Sequence, residues 1–264
     1  MLPIKGDELS FDLKGHTGMI KSLIFSYDGK YLYSASLDGK VLKWDLASKN
    51  STDISGGMMH VTSIDLSTDN KYIAGVTNDG KVIVWNPDVT SDNFRIESPG
   101  KVIRTIKFKP DENILAIGYA DGYVDLWDIA ARKKLSELKA HDSEVTSIRF
   151  NKKLSQMATA GNDRSIRLWD MKDSSNLPIS FNDNEGLVFT IEFSPDGRVI
   201  VSGTSEGKNN LMSRPTLADM LGKDLCTTIT RNFTVEEWQS YVGKDIEYEK
   251  TCPESDFKIK VFGK

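Results

Sequence analysis

Val41-Leu42-Lys43-Trp44-Asp45 recurs three times along the chain, as Val82-Ile83-Val84-Trp85-Asn86, Val124-Asp125-Leu126-Trp127-Asp128 and Ile166-Arg167-Leu168-Trp169-Asp170. Successive tryptophans lie 41, 42 and 42 residues apart. A period of that length marks a supersecondary unit that cannot bury its own faces and must stack on its neighbours. Working outward from Trp44, Ile20, Leu23 and Phe25 predict a first strand and Tyr27-Asp28-Gly29 a turn. Tyr31–Ser36 reads as a second strand, Asp38-Gly39 as another turn and Val41–Trp44 as a third strand. Short apolar or alternating runs separated by Asp-Gly are antiparallel hairpin signals.

The repetition extends to a fifth unit. The first apolar residue of strand one is Ile20, Val61, Ile103, Val145 or Val188, and an acidic residue follows 18 positions later each time: Asp38, Asp79, Asp121, Asp163 and Glu206. Unit five has no tryptophan after Glu206-Gly207. Its third strand is expected in Lys208–Met212, with Leu211 or Met212 in the core. Leu9–Leu13 alternates and predicts a lone strand ahead of the first unit.

These units resemble WD40 repeats, the four-stranded blades of a β-propeller, over about Leu9 to Met212. The resemblance implies an all-β WD40 β-propeller whose blades occupy 1–214, and the residues after it predict a short α-helical C-terminal tail over 215–264. It also implies a hydrogen-bond relay from a Gly-His histidine through a hydroxyl and an Asp to the Trp. His16, Ser34, Asp38 and Trp44 supply that relay in unit one, and His141, Thr159, Asp163 and Trp169 in unit four, at identical spacings. Units two and three carry Gly75 and Ile117 where the hydroxyl belongs, and lack the histidine. Propellers of this family usually close with seven blades, so five units leave two alternatives, a five-bladed ring or a piece of a longer array; the second is the expectation.

In the tail, Leu217, Met220, Leu221, Leu225 and Ile229 fall at helical spacing and predict a helix over 216–229. Thr234-Val235-Glu236-Glu237 is a capping box opening a second helix that stops at Gly243. Phe257, Ile259 and Val261 alternate with lysines as a final strand. Arg231–Trp238, Tyr241–Gly243 and Thr251–Pro253 are similar to the C-terminus of bacterial multidomain signalling proteins, in which a WD40 array follows an effector such as a STAND NTPase, caspase-like or TIR module.

Composition narrows the function classes. The 264 residues carry 34 Lys+Arg against 38 Asp+Glu, a formal net charge of −4, without a basic cluster. This gives no footprint for a nucleic-acid backbone. No apolar run reaches the roughly 18 residues that a membrane helix needs, and the N-terminus shows no signal-peptide core. The two cysteines, Cys226 and Cys252, read as idle thiols of a reducing compartment. A cytoplasmic location is the expectation.

Gly203-Thr204-Ser205-Glu206-Gly207 matches G-x-S-x-G, but no histidine follows it to complete a triad. An alternative reading nonetheless keeps a hydrolase on a propeller frame, with Ser205 or Cys252 as nucleophile. His16 and His141 belong to relays, leaving His60 alone, so no metal site or cofactor is implied. The resemblance implies instead a non-catalytic scaffold or sensor that binds partners on one face. The residues there are Met19, Leu37, His60, Asn78, Val102, Glu144, Asn162 and Leu187, with Ala120 and Ser205. That mixture suits a protein or peptide better than a phosphate.

Overall fold

In the computed structural model the described residues are 12–55, 60–173, 177–206, 210–217, 231–232, 234–236, 250 and 252. They form five antiparallel sheets, one per sequence unit. Blade one comprises β1 (Ile20–Phe25), β2 (Tyr31–Ser36), β3 (Val41–Asp45) and β4 (Ser51–Asp53). Blade two comprises β5 (Val61–Leu66), β6 (Ile73–Thr77), β7 (Val82–Asn86) and β8 (Val89–Ile96). Blade three comprises β9 (Ile103–Phe108), β10 (Ile114–Tyr119), β11 (Tyr123–Asp128) and β12 (Lys133–Lys139). Blade four comprises β13 (Val145–Asn151), β14 (Gln156–Gly161), β15 (Ile166–Asp170) and β16 (Ile179–Phe181). Blade five has three described strands, β17 (Val188–Phe193), β18 (Val199–Thr204) and β19 (Leu211–Pro215).

The turns are built as the Asp-Gly dipeptides require. Gly39, Gly80 and Gly122 take positive φ of 86°, 75° and 83°, and in blade four Arg164 takes the same station at 65°. At Gly122 a Cβ would lie 2.0 Å from the carbonyl oxygen of His141, so this position admits no other residue.

The fourth strands were not legible in the sequence. β4 and β12 are almost wholly exposed and their side chains show no buried stripe. They are held by the backbone ladder, as in Trp44↔Ser51 and Leu126↔Ser136. β4 and β12 bury almost nothing and leave no periodic trace; β8 and β16 do pack inward, through Ile96 and through Ile179 and Phe181.

Hydrophobic matter lies between blades. The first strands follow one another in a row, β1 against β5, β5 against β9, β9 against β13 and β13 against β17. Each blade therefore has a forward face, towards the next blade in sequence, and a rear face. Tyr33, Ala35 and Val41 of blade one's forward face pack with Val61, Ile64 and Leu66 of blade two's rear face. Val76, Val82 and Val84 meet Ile103, Ile106 and Phe108. Ala116 and Val124 meet Val145 and Ile148, and Ala158, Ala160 and Ile166 meet Val188 and Ile191. Each fully buried Val or Ile contributes about 1.5–3 kcal/mol, so stability resides in these interfaces rather than in single blades.

Several expectations need correction. Leu13 lies outside any strand, and most of the predicted lone strand Leu9–Leu13 falls outside the described residues. Among the described residues no helix is an element of the fold, so the α-helical tail gains no support. The helix expected over 216–229 begins instead with Thr216 buried and donating to the carbonyl oxygens of Arg198 and Gly197 beside β19, and Leu217 after it is a bend; 218–229 lie outside the described residues. Of the second expected helix, only Thr234, Val235 and Glu236 are described, and the strand expected at 257–261 lies outside them.

Leu211 is not core either. Val41 follows Ser36 by five residues, whereas Leu211 follows Thr204 by seven, and the longer loop shifts the register. Trp44, Trp85, Trp127 and Trp169 pair with Leu32, Ile73, Leu115 and Met157; the equivalent of those partners in blade five, Ile200, pairs with Arg214. Arg214 thus takes the tryptophan's place.

Candidate functional site

Two hydrogen-bond relays fasten loops of blades one and four. In blade one, Trp44 Nε1 donates to Ser34 Oγ at 2.8 Å, Ser34 Oγ lies 2.7 Å from His16 Nε2, and His16 Nδ1 lies 2.9 Å from Asp38 Oδ2. A carboxylate only accepts, so a neutral His16 carries its hydrogen on Nδ1 and takes the Ser34 proton on Nε2. Asp38 also accepts from the backbone N–H groups of Thr17 at 2.9 Å and Lys40 at 2.9 Å, closing both ends of the loop. Blade four repeats the chain: Trp169 Nε1 to Thr159 Oγ1 at 3.0 Å, Thr159 to His141 Nε2 at 2.9 Å, and His141 Nδ1 to Asp163 Oδ1 at 2.9 Å.

The other blades depart in different ways. Trp85 Nε1 and Trp127 Nε1 are buried without a hydrogen-bond partner among the described residues. Blade three substitutes another buried polar set: Tyr119 donates to Asp125 at 2.9 Å and shares a bond with Ser98 at 2.8 Å, while Lys134 pairs with Asp125 at 2.8 Å. In blade five Arg214 donates to Ser202 Oγ at 3.1 Å, Asn184 Oδ1 at 3.0 Å and Asp183 Oδ1 at 2.8 Å. Ser202 and Asn184 stand where Ser34 and His16 stand in blade one, so a cation completes this relay. Without a tryptophan or Gly-His, the sequence offered no mark of it.

Burial alone would push the Asp38 carboxyl up, but the N–H of Thr17, the His16 ring and the N–H of Lys40 outweigh it and hold it well below the ordinary carboxylate range. Burial likewise acts on Asp163, and His141, Ser165 and the N–H of Asp142 outweigh it there. A carboxyl lowered by folding stabilises in full above its unfolded pKa of about 3.9, and that stabilisation is lost as pH falls towards the folded value. Melting curves of the Asp38→Asn, Asp163→Asn double variant should therefore show a flatter decline below about pH 4 than the parent. An unchanged acid limb would mean that the relays carry none of the acid sensitivity.

The structure brings the expected face residues together. In every blade the residue before strand one accepts a backbone hydrogen bond from the second turn: Leu37 to Met19 at 2.9 Å, Asn78 to His60 at 2.9 Å, Ala120 to Val102 at 2.9 Å, Asn162 to Glu144 at 2.9 Å and Ser205 to Leu187 at 3.0 Å. These five pairs occupy one rim. Met19, Leu37 and Val102 are exposed, with His60, Asn78 and Ser205, whereas Ala120, Glu144, Asn162 and Leu187 are half-buried. Glu144 is paired with Arg104 at 3.1 Å, and Asn162 Oδ1 is buried without a hydrogen-bond partner among the described residues.

Below the rim a cavity of about 400 Å³ is lined by the first strands, including Ser63, Thr105, Thr146 and Thr190. Its cations are matched by acids, Lys107 with Asp65 at 2.6 Å and Arg149 with Glu192 at 2.7 Å.

Neither residue of the hydrolase alternative is set up as a nucleophile. Ser205 follows the end of β18 in a hairpin turn, where its Oγ accepts from the N–H of Leu187 at 3.1 Å. A nucleophile elbow needs a strand-to-helix turn and a histidine in reach. Cys252 is disulfide-bonded and fully buried, which corrects the expectation of idle thiols. Cysteine usage therefore gives no argument for a reducing compartment. Among the described residues no three His, Cys, Asp or Glu side chains cluster as metal ligands would.

A model of the WD domain, G-beta repeat, matches residues 7–45 and 176–210, and one of the anaphase-promoting complex subunit 4 WD40 domain matches 65–153. A guanine nucleotide-binding protein subunit beta of Oryza sativa subsp. indica is 25% identical over 210 residues, covering 74% of this chain and 55% of that protein. WD repeat and SOCS box-containing protein 1 of Xenopus tropicalis is 31% identical over 97 residues, 36% of this chain and 23% of the relative. The solved structure of U3-55K superposes with a TM-score of 0.65 at 20% identity, over 77% of this chain and 63% of that one, a likeness of fold. The chain thus spans about half the length, or less, of the curated relatives it matches.

Proposed function

We propose that this chain, which carries WD40 repeats, is a non-catalytic platform that holds a protein or peptide partner on the rim formed by its strand-one and second-turn pairs. The carrying observation is the repeated backbone bond from Leu37 to Met19 through Ser205 to Leu187, which sets five loop pairs on one rigid edge. Exposed Met19, Leu37 and Val102 offer apolar contact there, and Glu144 and Asn78 offer polar contact. A rim of this kind, without a lysine or arginine among those residues, fits a polypeptide better than a nucleic acid.

A Leu37→Asp, Val102→Asp double variant tests this. Both side chains are exposed, so melting should be unchanged while the amount of partner recovered by affinity capture falls by about tenfold or more, as burying charge in an apolar contact requires. Equal recovery by the two proteins would refute the rim. Ester or peptide turnover that vanished in Ser205→Ala would favour the hydrolase instead.

We further infer a sensor role within a larger signalling protein, from the tail residues Arg231–Trp238 and Thr251–Pro253 and their bacterial resemblance. The relatives named above are plant and amphibian proteins, so the bacterial part of this reading rests on the tail alone.

A further inference from the structure

The rear face of a blade is marked by three apolar side chains of its first strand. Val61, Ile64 and Leu66 of blade two, Ile103, Ile106 and Phe108 of blade three, and Val145, Ile148 and Phe150 of blade four all pack against the preceding blade. Their equivalents in blade one are Ile20, Leu23 and Phe25, which are 50%, 59% and 61% exposed. The side chains are of the kind that blade three buries at these stations, Ile, Ile and Phe.

The forward face of blade five is open in the same way. Val41, Val82, Val124 and Ile166 are fully buried, while the equivalent Leu211 is 72% exposed. Tyr33, Ala74, Ala116 and Ala158 are buried, while the equivalent Val201 is exposed.

The chain therefore presents the two halves of an interface that it builds four times internally. Chemistry at the edge agrees. Where Arg104 of blade three reaches Glu144 of blade four at 3.1 Å, the corresponding residues of the open faces are Phe189 and Met19, both apolar and both exposed. An ion pair is replaced by an apolar pair, so the two open faces match each other.

We propose that these faces are the contact between two copies of this chain, blade five of one seating its forward face on the rear face of blade one of the next. Such a contact is heterologous, since different surfaces of the two copies meet, and it propagates or closes as a ring rather than ending at a two-fold pair. Apolar side chains this exposed in a row are the mark of an association surface.

Sedimentation velocity over a wide concentration range tests it, with Phe25→Asp and Leu211→Asp as single variants. Both residues are solvent-exposed, and circular dichroism and melting verify that the variants fold. The parent should gain mass with concentration, and each variant alone should stay monomeric, its association weakened more than about tenfold by a charge in an apolar contact. Mixing the two variants should restore a dimer, because Phe25→Asp retains a sound blade-five face and Leu211→Asp a sound blade-one face. A parent that stays monomeric throughout would overturn the proposal. So would a Leu211→Asp variant that associates like the parent, since the contact would then not be head to tail.

Discussion

Trp44→Ala is expected to destabilise the protein by about 3–5 kcal/mol, the range for deleting a large buried aromatic side chain. The indole is buried and its N–H is satisfied by Ser34. Truncation opens a cavity beneath His16 and also removes one member of the relay that fastens Thr17 and Lys40 to Asp38. For a chain of this size the loss corresponds to a fall in Tm of roughly 10 °C. Phenylalanine separates the two contributions. Trp44→Phe keeps most of the volume and loses the hydrogen bond, at about 1–2 kcal/mol, whereas Trp85→Phe removes an N–H that has no partner among the described residues and should cost less. Thermal melts showing the same loss for both phenylalanine variants would contradict this account of the relays.

Asp65→Ala is expected to cost about 3 kcal/mol, the scale for removing one member of a largely buried ion pair. Asp65 is buried at the seam between blades two and three, accepting from the backbone N–H of Phe108 at 2.6 Å and from Lys107 at 2.6 Å. Its loss strands a buried backbone donor and leaves Lys107 with the wrong surroundings. Because the bond crosses between blades, the effect should appear as reduced cooperativity as well as a lower midpoint in denaturant unfolding. Asp65→Asn, which keeps an acceptor for Phe108, should recover part of the loss. A variant as stable as the parent would mean that apolar packing alone holds the seam.

Much of this architecture was legible in the repeat. The spacing of Trp44, Trp85, Trp127 and Trp169, and the acidic residue 18 positions after each strand-one start, located the inner three strands of blades one to four and the first two of blade five. Asp-Gly placed turns because those positions need a left-handed backbone, which few residues adopt cheaply. The relay residues were legible through the resemblance to WD40 repeats, and their chemistry agrees with it, since histidine, hydroxyl and carboxylate can satisfy one another and the indole N–H when buried. The outer strands were not visible. Ser51–Asp53 and Lys133–Lys139 bury almost nothing, and a backbone ladder reads any side chain.

Arg214 shows the limit most clearly. Nothing in the sequence distinguishes it from the other arginines, and Leu211 looked like the better core residue. A longer loop before β19 sets the register, and only the assembled blade shows that Ser202, Asn184 and Asp183 converge on the guanidinium. The exposure of Ile20, Leu23 and Phe25 has the same character. Their side chains are those of buried stations, and whether a neighbouring blade covers them is a property of the stack.

From its order of residues alone this chain determined the blade, its period, its turns and two of its internal relays, because those depend on contacts within about forty residues. The tertiary structure decided which faces are covered, which cation stands in for a tryptophan and which loop residues share a rim. Coverage depends on how one blade meets the next, between residues a full repeat apart. Arg214 and the rim pairs are settled inside a blade, by a strand register that the loop lengths set and no residue type marks.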